Sequence, residues 1–247
     1  TVPAVTINTI AGDDVINVAE HSQAHVISGT ATGAAAGDKV TVTIGGQTYT
    51  TVLDAAGNWS VGVPASVISG LSDGTVTVTA SVTDAAGNTG TGSHNVTVDT
   101  GLPSVSFNAI SDDNVLNAVE KGQDLSVSGT SANLAEGTVV TVTLNGKNYT
   151  ATTAADGTWS LTVPAADLAG LGEANYNLSA TATNGVGNSV SNTANLLVDT
   201  ALPTVTINTV AGDNVINAAE VAAGQTLSGK VANAEAGNTV TVTIGGN

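Results

Sequence analysis

The chain has 247 residues, a formal charge of −16, 20 Asp and Glu against 4 Lys and Arg, and neither Cys nor Met. Lys39, Lys121, Lys147 and Lys230 lie too far apart to form a basic patch, which excludes nucleic acid and anionic membrane surfaces as partners. The missing cysteines exclude disulfides, thiolate metal sites and thiol nucleophiles, while the excess of hard oxygen donors suits calcium better than zinc or copper.

Taken in chain order, Val5-Thr6-Ile7 alternates apolar with β-branched polar residues and predicts a first strand, A, at residues 4–8. A polar, acidic stretch with Asp13, Asp14, Asn17 and Glu20 follows and reads as a loop. The next strands are expected at 24–31 (B), 39–45 (C), 47–53 (C′) and 58–63 (E), with Gly45-Gly46 turning C into C′. Residues 65–71 suit one short turn of helix. Strands F (75–83) and G (91–98) complete the set. Asp54-Ala55-Ala56-Gly57-Asn58 and Asp84-Ala85-Ala86-Gly87-Asn88 are two similar turns whose Asp and Asn side chains suit local backbone bonding.

The whole set recurs at an offset of one hundred residues. Pro3, Pro103 and Pro203 coincide, as do Asp13, Asp113 and Asp213, then Asn17, Asn117 and Asn217, then Glu20, Glu120 and Glu220. Trp59 pairs with Trp159, and Val98-Asp99-Thr100 with Val198-Asp199-Thr200. The expected architecture is all-β: tandem seven-stranded immunoglobulin-like Greek-key sandwiches in an elongated array, with repeats at 1–100 and 101–200 and the N-terminal part of a third at 201–247. Trp59 and Trp159 fall on strand E and read as core plugs. No run approaches the ~18 apolar residues of a membrane span, no signal peptide opens the chain, and both ends read as those of an excerpt.

Strand order fixes which loops share an end of each sandwich. The acidic stretch after A, Asp73, and Asp99 at the end of G are expected at the pole facing the next repeat. The loops holding Asp156, Asn184 and Asn188 are expected at the opposite pole of the second repeat. The first junction would then bring Asp13, Asp14, Glu20 and Asp99 toward those three residues, and a calcium ion would relieve the repulsion of the carboxylates. The candidate ligands are Asp13, Asp14, Asn17, Glu20 and Asp99, then Asp112, Asp113, Asn117, Glu120 and Asp199, then Asp213, Asn217 and Glu220. Asp156, Asn184, Asn188, Thr100 and Thr200 are secondary candidates. Asp13 and Glu20 keep their spacing in three copies while Ala19 drifts to Val119 and His21 to Lys121, which favours metal binding over plain turn formation.

Catalysis finds no support. His21, His25 and His94 occur only in the first copy, with Lys121, Leu125 and Ala194 at the equivalent positions, so they read as tolerated variation on exposed β surface. Asp112 and Asp113 could imitate a hydrolase pair, but six aromatic residues suggest no lined cleft. Two binding readings stay open: recognition of a glycan or receptor by a loop or sandwich face, and homophilic pairing between cells.

The pattern Val98-Asp99-Thr100-Gly101-Leu102-Pro103, with Asp13-Asp14-Val15-Ile16-Asn17-Val18-Ala19-Glu20 and Ser28-Gly29-Thr30, resembles the bacterial Ig-like repeats of giant biofilm-associated adhesins. The resemblance spans the chain. It implies a long non-fimbrial protein exported by a type I system to the bacterial cell surface, involved in cell adhesion and biofilm formation, with calcium at repeat junctions. It also implies that neighbouring repeats are the partners here, and that contacts with host or abiotic surfaces belong to other regions. Asn114 and Asn214 depart from the second acidic position, so graded calcium affinity among junctions is expected.

Overall fold

A computed structural model describes residues 1–234 and 237–245 of the chain. Of the third-repeat expectation, residues 235, 236, 246 and 247 lie outside the described residues. The first repeat holds β1 (Ala4–Ile7), β2 (Val15–Asn17), β3 (His25–Thr32), β4 (Lys39–Ile44), β5 (Gln47–Val52), β6 (Asn58–Val63), α1 (Ala65–Ile68), β7 (Gly74–Thr83) and β8 (Thr89–Asp99). The second repeats the order: β9 (Ser104–Phe107), β10 (Val115–Leu116), β11 (Leu125–Ala132), β12 (Val139–Leu144), β13 (Lys147–Thr152), β14 (Thr158–Val163), α2 (Ala165–Leu168), β15 (Ala174–Thr183) and β16 (Ser189–Val198). The third contributes β17 (Thr204–Ile207), α3 (Ala218–Ala223) and β18 (Gly229–Ala232).

Each full repeat is a sandwich of a three-stranded and a five-stranded sheet. In the first repeat the orders are β1-β3-β6 and β2-β8-β7-β4-β5, and in the second β9-β11-β14 and β10-β16-β15-β12-β13. Alternation drives this packing: Val40, Val42 and Ile44 on β4 and Val78, Ala80 and Val82 on β7 point inward and are all but fully buried, while Thr41, Thr43 and Ser81 between them are half-buried and Thr79 is exposed. The facing sheet supplies Ile27, Ala31, Trp59 and Val63. Both tryptophans are core residues, as expected, at 3% and 2% exposure. Gly29 lies opposite Trp59 in the β3–β6 register because a Cβ there would sit 2.0 Å from the Thr6 carbonyl oxygen and 2.5 Å from the indole. Gly129 stands in the same position against Trp159.

The stretch after strand A differs from its expectation as a loop: it contains an eighth strand. β2 leaves the β1 sheet and runs parallel to β8, with Val15 opposite Thr97, Ile16 opposite Val98 and Asn17 opposite Asp99. Ile16 is the physical reason. It is fully buried, a gain of about 1.5–3 kcal/mol over exposure, and Ile10 and Ile110 are buried likewise. So short an apolar run inside a polar stretch carries no periodicity to read.

The described residues divide into two compact units. One comprises Thr1–Asn108, Ser128–Leu161 and Leu178–Ala194; the other comprises Ala109–Val127, Thr162–Asn177 and Asn195–Asn247. The first thus holds the whole first repeat, the linker and the 184–188 loop. In the second, β17 and β18 pair antiparallel, but Val205, Val240 and Val242 are 56%, 47% and 49% exposed, whereas Val40 and Val42 are fully buried.

Candidate functional site

The candidate ligands separate into groups by what their side chains already bond. Asp13 accepts the N–H of Val15 at 3.0 Å, and Asp113 and Asp213 repeat that bond with Val115 and Val215 at 2.8 and 2.9 Å. Asp14, with φ +65°, accepts the N–H of Ile10 at 2.8 Å and closes the tight turn that starts β2. Asn114 and Asn214 do the same toward Ile110 and Val210, both at 3.0 Å. The Asp-to-Asn change at this position is therefore neutral for the turn. Asp112 sits in the left-handed region at φ +62°.

In the first repeat alone, Asp14 also meets His94 Nε2 at 2.7 Å. The Ile10 N–H and then the His94 bond hold the Asp14 carboxyl below its ordinary range. His94 is thus a hydrogen-bond partner of Asp14, half-buried, and not idle surface variation. His21 bonds the Leu71 carbonyl at 2.9 Å, where Lys121 donates to the Leu171 carbonyl, and His25 meets the Glu20 carbonyl at 2.9 Å. A signal for His94 was present in the sequence: His94 with Asp14 gives way to Ala194 with Asn114.

Asn17 and Glu20 form a reciprocal capping box. Asn17 Oδ1 accepts the N–H groups of Ala19 and Glu20 at 3.0 and 3.2 Å, and Glu20 Oε2 accepts the Asn17 N–H at 3.1 Å. Asn117 with Glu120 and Asn217 with Glu220 build the same box, which starts a short 3₁₀ turn in the first two repeats and α3 in the third. The recurrence of Asn and Glu at this spacing thus has a folding role.

The linker forms the other group. Asp99, paired in register with Asn17, accepts the N–H of Gly101 at 3.0 Å, and Asp199 accepts that of Ala201 at 3.1 Å. Thr100 donates its N–H and hydroxyl to Asp73 at 3.1 and 2.8 Å, and Thr200 does so to Glu173, which holds the Glu173 carboxyl low. Asp73 and Glu173 are the acids the candidate list missed; the hundred-residue offset aligns them. Asn188, 1% exposed, donates to the carbonyls of Asp99 and Gly101 at 2.9 and 3.2 Å and accepts the Val18 N–H at 2.8 Å. Asn184 donates to the Gly101 carbonyl at 3.4 Å. Asp156 bonds Thr158 of its own loop instead, first through the hydroxyl, which lowers its carboxyl.

The structure therefore gathers Asn17, Asp99, Thr100, Asn184 and Asn188 around the linker. Asp14 does not join them: its backbone carbonyl accepts the Thr97 N–H at 2.9 Å, but its carboxylate is turned to Ile10 and His94. The donor chemistry is all hard oxygen and fits calcium. Among the described residues no three Asp, Glu or His side chains converge closely enough to hold a metal ion, so amide and backbone oxygens would have to complete any shell.

Residues 1–100 and 107–200 match the bacterial Ig-like domain family, and the chain belongs to it. Two solved structures extend the likeness. One, described as a calcium-stabilised adhesin that helps an Antarctic bacterium reach out and bind ice, is 41% identical with a TM-score of 0.56, and the match covers 94% of this chain and 58% of that one. The other, from work on host cell surface retention of a 1.5-MDa bacterial ice-binding adhesin, is 34% identical with a TM-score of 0.53, covering 94% and 76%. The chain thus spans little more than half the length of the first relative. No curated protein matches. These repeats are of the kind that large bacterial adhesins string in tandem, and the family is structural and non-enzymatic.

Proposed function

We propose that this chain is an extension module of a bacterial cell-surface adhesin, made of repeats at 1–100 and 101–200 and part of a third at 201–247, and stiffened by calcium where repeats meet. The observation that carries the reading is the meeting of Asn17, Asp99 and Thr100 at the end of β2 and β8, where the linker leaves a strongly acidic sandwich. One relative described as calcium-stabilised supports it. Asp99, Asn17 and Glu20 would supply side-chain oxygens, and linker carbonyls the remainder. Calcium would contribute charge neutralisation and a fixed geometry between repeats. Adhesion and biofilm formation then follow from projecting binding regions outward, with the protein secreted to the cell surface.

Extracellular modules bind calcium at roughly 10⁻⁴–10⁻³ M, so the chain should be supple inside a cell and stiff outside. Isothermal titration of the chain counts the sites. Calcium should raise the melting temperature and lengthen the particle in small-angle scattering, and Asp99→Ala with Glu20→Ala should abolish both effects. Profiles unmoved by calcium would overturn the reading.

A further inference from the structure

We propose that Asn184 and Asn188 form an amide clasp that recognises the backbone of the linker without metal, and that the identity of residue 184 sets whether the clasp is open to bind or closed on itself. The two repeats carry the same five-residue loop in both states. Residues 84 and 184 donate N–H to the carbonyls of Asn88 and Asn188 at 3.0 and 2.9 Å, and Gly87 and Gly187, at φ +84° and +86°, donate back at 2.9 and 3.1 Å. The backbones therefore match. Ala85-Ala86 stand where the second loop has Gly185-Val186, and among the side chains that bond the difference is one functional group, Asp84 against Asn184.

Asp84 has two acceptor oxygens. Oδ1 takes the N–H groups of Ala86 and Asn88 at 2.9 and 2.8 Å, and Oδ2 takes the Asn88 side-chain amide at 2.9 Å, so that amide is folded into its own loop. Asn184 has one. Its Oδ1 takes the N–H groups of Val186 and Asn188 at 3.2 and 2.9 Å, and its other head is a donor that cannot receive the Asn188 amide. That amide turns outward to the carbonyls of Asp99 and Gly101, Asn184 joins it on Gly101, and the Asn188 oxygen takes the N–H of Val18. Every polar group of a buried side chain is thus matched to linker or β2-end backbone. The partner such a loop fits is a pair of adjacent chain ends, a linker presenting two carbonyls and, beside it, the N–H that follows β2.

The test is hydrogen exchange by NMR on the full chain with EGTA present, reading the Val18 amide, with Trp59 and Trp159 fluorescence reporting that both sandwiches stay folded. Asn188→Ala should speed Val18 exchange roughly tenfold, as the loss of about 1.4 kcal/mol would. Asn184→Asp should do the same by recapturing the Asn188 amide, and this variant keeps the test open if Asn188→Ala unfolds, because the loop with Asp already folds at 84–88. Unchanged Val18 exchange in folded Asn184→Asp overturns the proposal. Protection of Val18 that appears in the unsubstituted chain only when calcium is added also overturns it and leaves the calcium reading standing. Variant effects that persist in EGTA, in a chain whose melting calcium does not move, uphold the clasp and remove the calcium reading instead.

Discussion

Glu20 separates two roles that one residue type can serve. Its Oε2 accepts the Asn17 N–H at 3.1 Å, and glutamine can accept the same bond without charge, so Glu20→Gln preserves the capping box while Glu20→Ala removes half of it. Caps contribute about 0.5–2 kcal/mol, whereas a calcium site filled at a hundred times its dissociation constant contributes about 2.7 kcal/mol. With chelator present, the Gln variant should match the parent chain and the Ala variant should lose about 1 kcal/mol. In excess calcium both should also lose most of the metal's increment. Urea unfolding followed by Trp59 fluorescence, with Trp159→Phe in every protein compared, gives the four differences by linear extrapolation. A Gln variant that keeps the full calcium increment would refute a ligand role for Glu20 and leave capping as its whole function.

Three further outcomes are expected. Gly29→Ala forces a Cβ against the Thr6 carbonyl and the Trp59 ring and should destabilise the first repeat by about 1–3 kcal/mol or more; an unchanged urea midpoint for Trp59 would contradict the packing. Ile16→Ala empties a fully buried site on β2 and should cost about 2–5 kcal/mol, and a loss no larger than that of an exposed valine would mean that β2 does not pack. Because Asp14 has a carboxyl pKa below its ordinary value in the folded state, its contribution is complete above the unfolded value of 3.8 and disappears as pH falls through the lower folded value. His94→Ala removes part of that shift, so acid unfolding of the first repeat should begin at higher pH. The second repeat, with Asn114 there, should unfold in acid as before, and equal movement of both Trp signals would exclude the His94–Asp14 bond as the cause.

Much of the site was legible as residues but not as contacts. The AB stretch showed which acids and amides recur, yet Asn17 and Glu20 recur in a capping box, Asp13 recurs as a turn acceptor, and Asp14 holds a turn position that Asn114 and Asn214 fill equally. Sequence spacing cannot distinguish such local acceptors from metal ligands, because both roles favour the same oxygens. Asp73 was placed at the pole but given no role, and Glu173 went unread, for the opposite reason: their partners Thr100 and Thr200 lie 27 residues away.

Alternating threonine and valine, glycine turns and the hundred-residue offset were enough to place seven strands of each sandwich, since period-two burial is written residue by residue. The parallel seat of β2 on β8, the His94–Asp14 pair and the reach of Asn188 to the linker were decided only in three dimensions. Each depends on which distant backbone or side-chain group arrives beside a short polar segment, and a chain read in one dimension records at most a paired change, as of His94 with Asp14 to Ala194 with Asn114, and not the contact itself.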